Sequence, residues 1–402
     1  MKTKSSTKRK FPEMEATKQK TPKMEVEFLK NLPSEIVIEI LSRLPIPTIK
    51  ICKRVRKSWR DLIQTREFVD SHLSKSVPGL VVSEDRDRFE VFEFEDELLD
   101  LEDSDLRYKP VARFDCSTLA ISILDIKGSV NGLLFLSPVS SYPSDYYICN
   151  PITREFIEFP YDERFLGYPL DCPANYGFGV SKVTGQYKVV RIVRRLKSIC
   201  HVYTLGTGKW RRITPPGVPL RNDRNSNGAF LNGCLHWVVE DFTAPLSICC
   251  FDLETETFST FDPPPLSRRR NGHLHIVVAS GDYLCVCDNT FEDDVAFWVM
   301  KDYGDAKSWT KQFVIGKSDR FVCPYGVSSG EILYPIKVFK DGHALMLFGN
   351  AYMCYYSGKT KTSKRMAVFG MDTHMEAMVH TPSFLSLKSF PKEYVTSFRR
   401  FH

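Results

Sequence analysis

FDLETETF (Phe251–Phe258) sets a short acid, Asp252, three places ahead of Thr255 and six ahead of an aromatic, Phe258. The same order returns in CNPITREF (Cys149–Phe156) and YTLGTGKW (Tyr203–Trp210), and more weakly in DYGDAKSW from Asp302 and SGKTKTS from Ser357. The opening polar residues, Asn150, Thr204, Asp252, Asp302 and Ser357, follow one another at about 50 residues, the length of one four-stranded propeller blade. The residue types suit such a repeat. A short polar side chain bonds nearby amides and holds a tight turn, Thr is expected to return the chain to the extended state, and the aromatic is expected to pack between neighbouring sheets.

A second set of turn signals keeps step with the first: Asn131-Gly132, Gly185-Gln186, Asn232-Gly233, Gly281-Asp282 and Asp341-Gly342. Each leads its partner by the length of two strands and a connection. Strand-like runs (GLLFL, YKVVRIV, CLHWVV, YLCVC, ALMLF) lie between Gly, Asn, Asp and Pro. Five marked units and a further one in residues 78–128 give six blades, with seven the alternative. Closure is expected to pair a strand near Leu80–Val82 with one near Phe384–Leu387, because an open propeller leaves unpaired edges.

Ahead of the repeat, residues 26–73 carry helical spacing. In LPSEIVIEILSRLP, Ile36, Val37, Ile40, Leu41 and Leu44 form a stripe; Pro33 and Ser34 suit its start, and Pro45 and Pro47 its end. Thr48 is expected to cap a second short helix, and Val55, Trp59, Leu62 and Ile63 mark a third. Three helices of this length make only a marginal core and need a partner surface.

Composition narrows the class. The 402 residues are 43% hydrophobic and 26% charged, without an apolar run near the ~18 residues a membrane helix needs. The basic start, MKTKSSTKRKF, has no apolar core of a secretory signal. The protein is therefore expected in the nucleus or cytoplasm, with its 12 cysteines mostly buried thiols. Residues 1–25 read as a disordered basic tail, with Lys8-Arg9-Lys10 a short basic cluster of the kind that serves nuclear import or is merely solvated. Net charge, +6, owes part to that tail, so neither nucleic acid nor membrane is implied as a partner.

The string LPSEIVIEILSRLPIPTIKICKRVRKSWRDLIQTREFVDSHL (Leu32–Leu73) resembles the F-box. The match rests on Leu32-Pro33, Glu39-Ile40-Leu41, Leu44-Pro45, Val55, Lys57-x-Trp59, Phe68 and His72-Leu73. The segments VNGLLFL, YYICNPITREFIEFP, YGFGVSKVTGQYKVVRI and FLNGCLHWVV resemble the kelch-like F-box-associated domain of plant proteins. These resemblances imply a mainly β chain: an F-box of three helices (26–73) before a kelch-like propeller (78–402). They imply a substrate-recognition adaptor of a Skp-cullin-F-box ubiquitin ligase, bound through a Skp-type adaptor to a cullin and a RING protein. Its propeller would hold a protein target, and the chain would have no catalytic residue, metal or cofactor of its own. Carried over by position, Leu32, Pro33, Ile36, Ile40, Leu41, Leu44, Pro45, Val55 and Trp59 lie at or just beneath the adaptor surface. Lys50, Arg54 and Arg56 depart from the apolar or cysteine residues common at those places.

Catalytic patterns are weak. GTGKW (Gly206–Trp210) lacks the first glycine and final Ser or Thr of a phosphate loop and reads as a turn. GVSSG (Gly326–Gly330) has the letters of a nucleophile elbow but precedes a strand-like run. His273 and His275 lack a nameable third metal ligand. The acidic run Glu84–Asp105 and the basic run Arg268–Arg270 read as solvated loops. Target contact is expected from the loops at Tyr161–Pro173, Pro215–Ser226 and Pro263–Asn271. The competing class is a kelch-type propeller enzyme or glycan-binding module, which needs convergent polar groups at the central channel.

Overall fold

The computed structural model describes residues 32–84, 88–93, 109–116, 123–139, 145–159, 174–193, 198–220, 227–239, 246–266, 274–279, 283–289, 294–316, 333–339, 342–348, 352–366 and 375–398. The tail 1–25 lies outside them, as do GVSSG, Arg268–Arg270, His273, Gly281-Asp282 and most of the three expected contact loops.

Among the described residues the head has four α-helices: α1 (Ser34–Leu41), α2 (Ile46–Val55), α3 (Lys57–Ile63) and α4 (Arg66–Leu73). The sequence reading expected three. The fourth is capped by Thr65, whose hydroxyl accepts the Phe68 N–H, and it carries the Phe68 and His72-Leu73 of the F-box match. Pro47 opens α2 rather than ending α1, since proline fits the first turn of a helix, and Thr48 lies inside α2 instead of capping it.

Among the described residues six antiparallel sheets follow, and the propeller has six blades rather than seven. The second blade is β4 (Leu124–Val130), β5 (Leu133–Pro138), β6 (Tyr146–Asn150) and β7 (Glu155–Phe159). The third to sixth blades begin with β8 (Ala174–Val180), β12 (Ala229–Leu231), β16 (Leu274–Ala279) and β20 (Leu333–Val338), each joined by the next three strands. In the first blade β24 (Met375–His380) pairs with β1 (Gly79–Glu84), followed by β2 (Arg88–Phe92) and β3 (Ala112–Asp115). The strands β4, β8, β12, β16, β20 and β24 touch in sequence and close a ring. Closure does occur at Leu80–Val82, but its partners are Val379, Met378 and Ala377. Phe384–Leu387 is not a strand; it belongs to a strap that continues from β24 to β25 (Val395–Ser397), which adds to the outer edge of the second blade beside β7. The acidic run also needs correction, because it contains β2, whose Phe89, Val91 and Phe92 are buried.

The sequence marks fall at equivalent places. Asn150, Thr204, Asp252, Asp302 and Ser357 stand at the turn between the third and fourth strands of successive blades. Asn150 Oδ1 accepts the Ile152 N–H at 2.8 Å, and Asp252 Oδ1 accepts Glu254 and Thr255 N–H at 2.7 and 2.9 Å. Four places after the mark the backbone enters the left-handed region at Arg154, Gly208, Glu256 and Lys361. The Thr therefore does not restore the extended state. Thr153 stays in the turn, and Thr255 and Thr360 bond the hydroxyls of Thr257 and Thr362. The aromatic is buried at Phe156 and Trp210 and half-buried at Phe258. GTGKW is a turn, as expected.

Candidate docking face on the helical head

The head is welded to one face of the propeller. Val37, Leu41, Ile46, Ile49, Ile63, Phe68 and Val69 are buried in one cluster with Phe89, Val91, Phe114, Leu133 and Phe384 of the blades and strap. Three polar contacts orient the weld. Pro45, which precedes α2, offers no side-chain cap, so the Glu93 carboxylate, from the segment between β2 and β3, accepts the Ile46 N–H at 2.9 Å. A carboxylate there also meets the positive end of the helix. Lys50 Nζ donates to the Val111 carbonyl at 2.7 Å, and burial pushes its ammonium down to about 8. Lys53 Nζ sits 5.3 Å from the centre of the Phe384 ring, which also meets Phe68 and His72 edge-on at 6.3 and 6.0 Å.

The strap completes the joint. Asn150 Nδ2 donates to the Ser383 and Leu385 carbonyls at 3.1 and 2.7 Å, while Glu155 accepts from Ser386 Oγ and the Leu387 N–H. Farther along, Glu393 accepts the Tyr203 hydroxyl at 2.8 Å and the Gly206 N–H at 2.6 Å. Two of the sequence marks therefore serve the strap as well as their own turns.

What remains outside is an apolar surface. Ile36 and Ile40, one turn apart on α1, are 46% and 47% exposed; Ile51 and Val55, one turn apart on α2, are 62% and 64% exposed. On a head only four helices thick these residues form an exposed apolar face, the candidate for docking. Of the nine residues carried over from the resemblance, Ile36, Ile40, Val55, Pro33 and Pro45 are exposed, and Leu32, Leu44 and Trp59 are half-buried against the core. Leu41 is buried and faces inward, so its part is to hold the head together. Ile51 was missed, although its spacing to Val55 carries the signal. Of the departing basic residues, Lys50 faces the propeller and Arg54 is exposed. Arg56 is half-buried where α2 meets α3.

Among the described residues no group of three or more His, Cys, Asp or Glu is arranged to hold a metal. His275 is buried with its ring 4.7 Å from that of Tyr334. Of the ten cysteines in the described segments none forms a disulfide, and all but Cys52 and Cys234 are buried.

The chain is thus a six-bladed propeller carrying a four-helix head with an exposed apolar face. Comparison with known proteins gives it a family. Residues 80–393 match the F-box associated beta propeller domain and residues 29–71 the F-box domain, and the chain belongs to the F-box proteins that carry this propeller. Relatives from Arabidopsis thaliana include an F-box protein 27% identical over 395 residues, with 88% of this chain and 91% of the relative covered. An F-box/kelch-repeat protein is 26% identical, covering 81% and 90%, and F-box protein CPR1 is 26% identical, covering 84% of each. Among solved structures the SapL1 lectin, in complex with alpha methyl fucoside, superimposes with a TM-score of 0.41 at 8% identity, over 75% of this chain and 98% of the lectin. An F-box followed by a propeller is, in general terms, the make-up of a substrate receptor of an SCF ligase, with the F-box as the adaptor-binding end.

Proposed function

We propose that the face made by Ile36, Ile40, Ile51 and Val55 docks a Skp-type adaptor, joining the chain to a cullin and a RING protein, and that the propeller presents a protein target to the ligase. The chain makes and breaks no bond itself; its contribution is proximity, holding target lysines within reach of activated ubiquitin. The observation that carries this reading is the exposure of four large apolar side chains on a head whose other apolar residues are committed to the propeller. We place the work in the nucleus or cytoplasm, in keeping with the free cysteines and the absence, among described residues, of a helix able to cross a membrane.

The test is reconstitution. The full chain is mixed with a Skp-type adaptor, cullin, RING protein and ubiquitin-charged conjugating enzyme, with proteins captured by the chain as substrates. Ubiquitin transfer that requires the chain supports the reading. Failure of the chain to bind any Skp-type adaptor overturns it.

A further inference from the structure

Where the fourth and fifth blades meet, two cysteines share a face of one sheet. Cys234 opens β13 (Cys234–Val238) and Cys250 is the middle residue of β14 (Ile248–Asp252). Cys234 pairs with Asp252 and His236 with Cys250 in the antiparallel register. Residues two apart on a strand and residues directly opposite point to the same side, so Cys234, His236 and Cys250 share it and the cysteines are diagonal neighbours. Cys249 points the other way, into the core cluster with Leu235 and Phe251.

Tyr303, from the turn after β18 (Asp294–Met300), closes over this pair. Its hydroxyl lies 3.9 Å from Cys250 Sγ and 2.7 Å from His236 Nε2. The His236 orientation is fixed from behind: Nδ1 lies 3.0 Å from the Ala229 carbonyl, which only accepts, so Nδ1 carries the hydrogen and Nε2 accepts that of Tyr303. Burial holds the ring neutral. Cys234 is half-buried, Cys250 is buried, and Tyr303 is 40% exposed, so a small molecule meets Cys234 first.

We propose that Cys234 and Cys250 are a peroxide-sensitive dithiol, Cys234 the attacking thiolate and Cys250 the resolving thiol, giving this propeller a site of reversible oxidation. The Cys234 thiolate attacks one oxygen of hydrogen peroxide; the O–O bond breaks, sulfur gives up two electrons and hydroxide leaves. The Cys250 thiol then attacks the resulting sulfenic sulfur. The S–S bond forms, the S–O bond breaks, and the hydroxyl departs with the Cys250 proton, so that two thiols and one peroxide yield one disulfide and two waters. The Cys250 thiol beside it, with Lys182 nearby, outweighs burial and Asp252 and brings the Cys234 thiol down to about 7. Burial pushes the thiols of Cys249 and Cys285 up to about 12 and raises that of Cys52, the other half-buried cysteine. Because diagonal positions stand farther apart than opposite ones, forming the bond requires the two strands to shift, which makes the disulfide readily reducible.

The full chain is treated with hydrogen peroxide and mapped by mass spectrometry after cleavage at Glu240, which separates Cys234 from Cys250. We expect a Cys234–Cys250 link that dithiothreitol reverses, that Cys249→Ser keeps and that Cys250→Ser abolishes. In Cys250→Ser, Cys234 should be trapped as a sulfenic acid by dimedone. In the untreated protein iodoacetamide should alkylate Cys234 at neutral pH at least tenfold faster than Cys52. Equal alkylation of Cys234 and Cys52 in the wild type, or no link after peroxide, overturns the proposal without bearing on adaptor docking.

Discussion

Truncating Ile36, Ile40, Ile51 and Val55 together to alanine should remove adaptor binding while leaving the fold intact. Burying a large aliphatic side chain is worth about 1.5–3 kcal/mol relative to full exposure. Each of these four retains between 46% and 64% of its exposure in the free chain. The part still available to a partner is therefore about 1 kcal/mol per residue, or about 4 kcal/mol for the set by area alone. At ~1.4 kcal/mol per decade that is a loss of about 1,000-fold in affinity, and about 5-fold for any one residue. None of the four lies in the buried core, so the unfolding midpoint should move little. Titration calorimetry of the full chain against a Skp-type adaptor reads the affinity, with thermal unfolding beside it. Val183, 82% exposed in the turn between β8 and β9 (Tyr187–Val193), is the matched control, and Val183→Ala should change neither quantity. Retention of affinity within tenfold in the quadruple variant would refute the docking argument, because no other set of exposed apolar residues on the described head is as large.

Phe384→Ala should cost about 3–5 kcal/mol in chemical denaturation, the usual range for a buried aromatic, while leaving adaptor affinity unchanged because the ring packs on the buried Phe68 and His72 of α4 rather than on the exposed residues of α1 and α2. Asn150→Leu should cost several kcal/mol, since it orphans the buried carbonyls of Ser383 and Leu385 and two turn amides at about 1–3 kcal/mol each. Asp252→Ala, which serves only its own turn, should cost about 1 kcal/mol, and unfolding curves of the two variants compare them. Burial depresses His72 to about 4, so the unfolded chain binds its proton more tightly and the stabilisation is complete above pH 6.5 and lost as pH falls toward 4. Urea midpoints measured from pH 7.5 to 4.5 should fall, and His72→Asn should flatten that slope. Glu376, raised to about 8 mainly by burial, contributes with the opposite sign, which is why the comparison is made within the His72 pair.

The sequence made the periodic part of this molecule legible because each blade must solve the same two problems, turning tightly and covering its neighbour. Asn150 and Asp252 announce themselves since few side chains cap two successive amides. The helical head was equally readable from proline and tryptophan placement, but its inward and outward residues were not. Ile40 and Leu41 are adjacent and chemically alike, and only the position of the propeller decides that one is exposed and the other buried. Long-range partners left no local trace. Glu93 lies in an acidic stretch that reads as solvated, yet caps α2 from 47 residues away. Phe384 has the apolar setting of a strand and was taken for the closing one, when its burial is against helices instead.

The weld also decides which face of the propeller remains for a target. In a four-stranded antiparallel blade, the turns after the first and third strands share one end and the remaining connections share the other. Everything that anchors the head and strap belongs to the first end: Glu93 and Val111 flank the connection between β2 and β3, Asn150 follows the third strand of the second blade, and Gly206 that of the third. The segments at 160–173, 215–226 and 263–271 instead join the last strand of one blade to the first of the next, so their strand ends lie on the opposite face. Adaptor and target would therefore approach from opposite sides of one rigid body, and a target bound at those loops could not compete with the adaptor for surface. Head and propeller substitutions should then be thermodynamically independent: a loop variant that abolishes target capture should leave adaptor affinity unchanged, and the quadruple alanine variant should capture target as tightly as wild type. A coupling larger than about 0.5 kcal/mol in the double variant, the scatter of additive distant sites, would show that the two ends communicate through the strap.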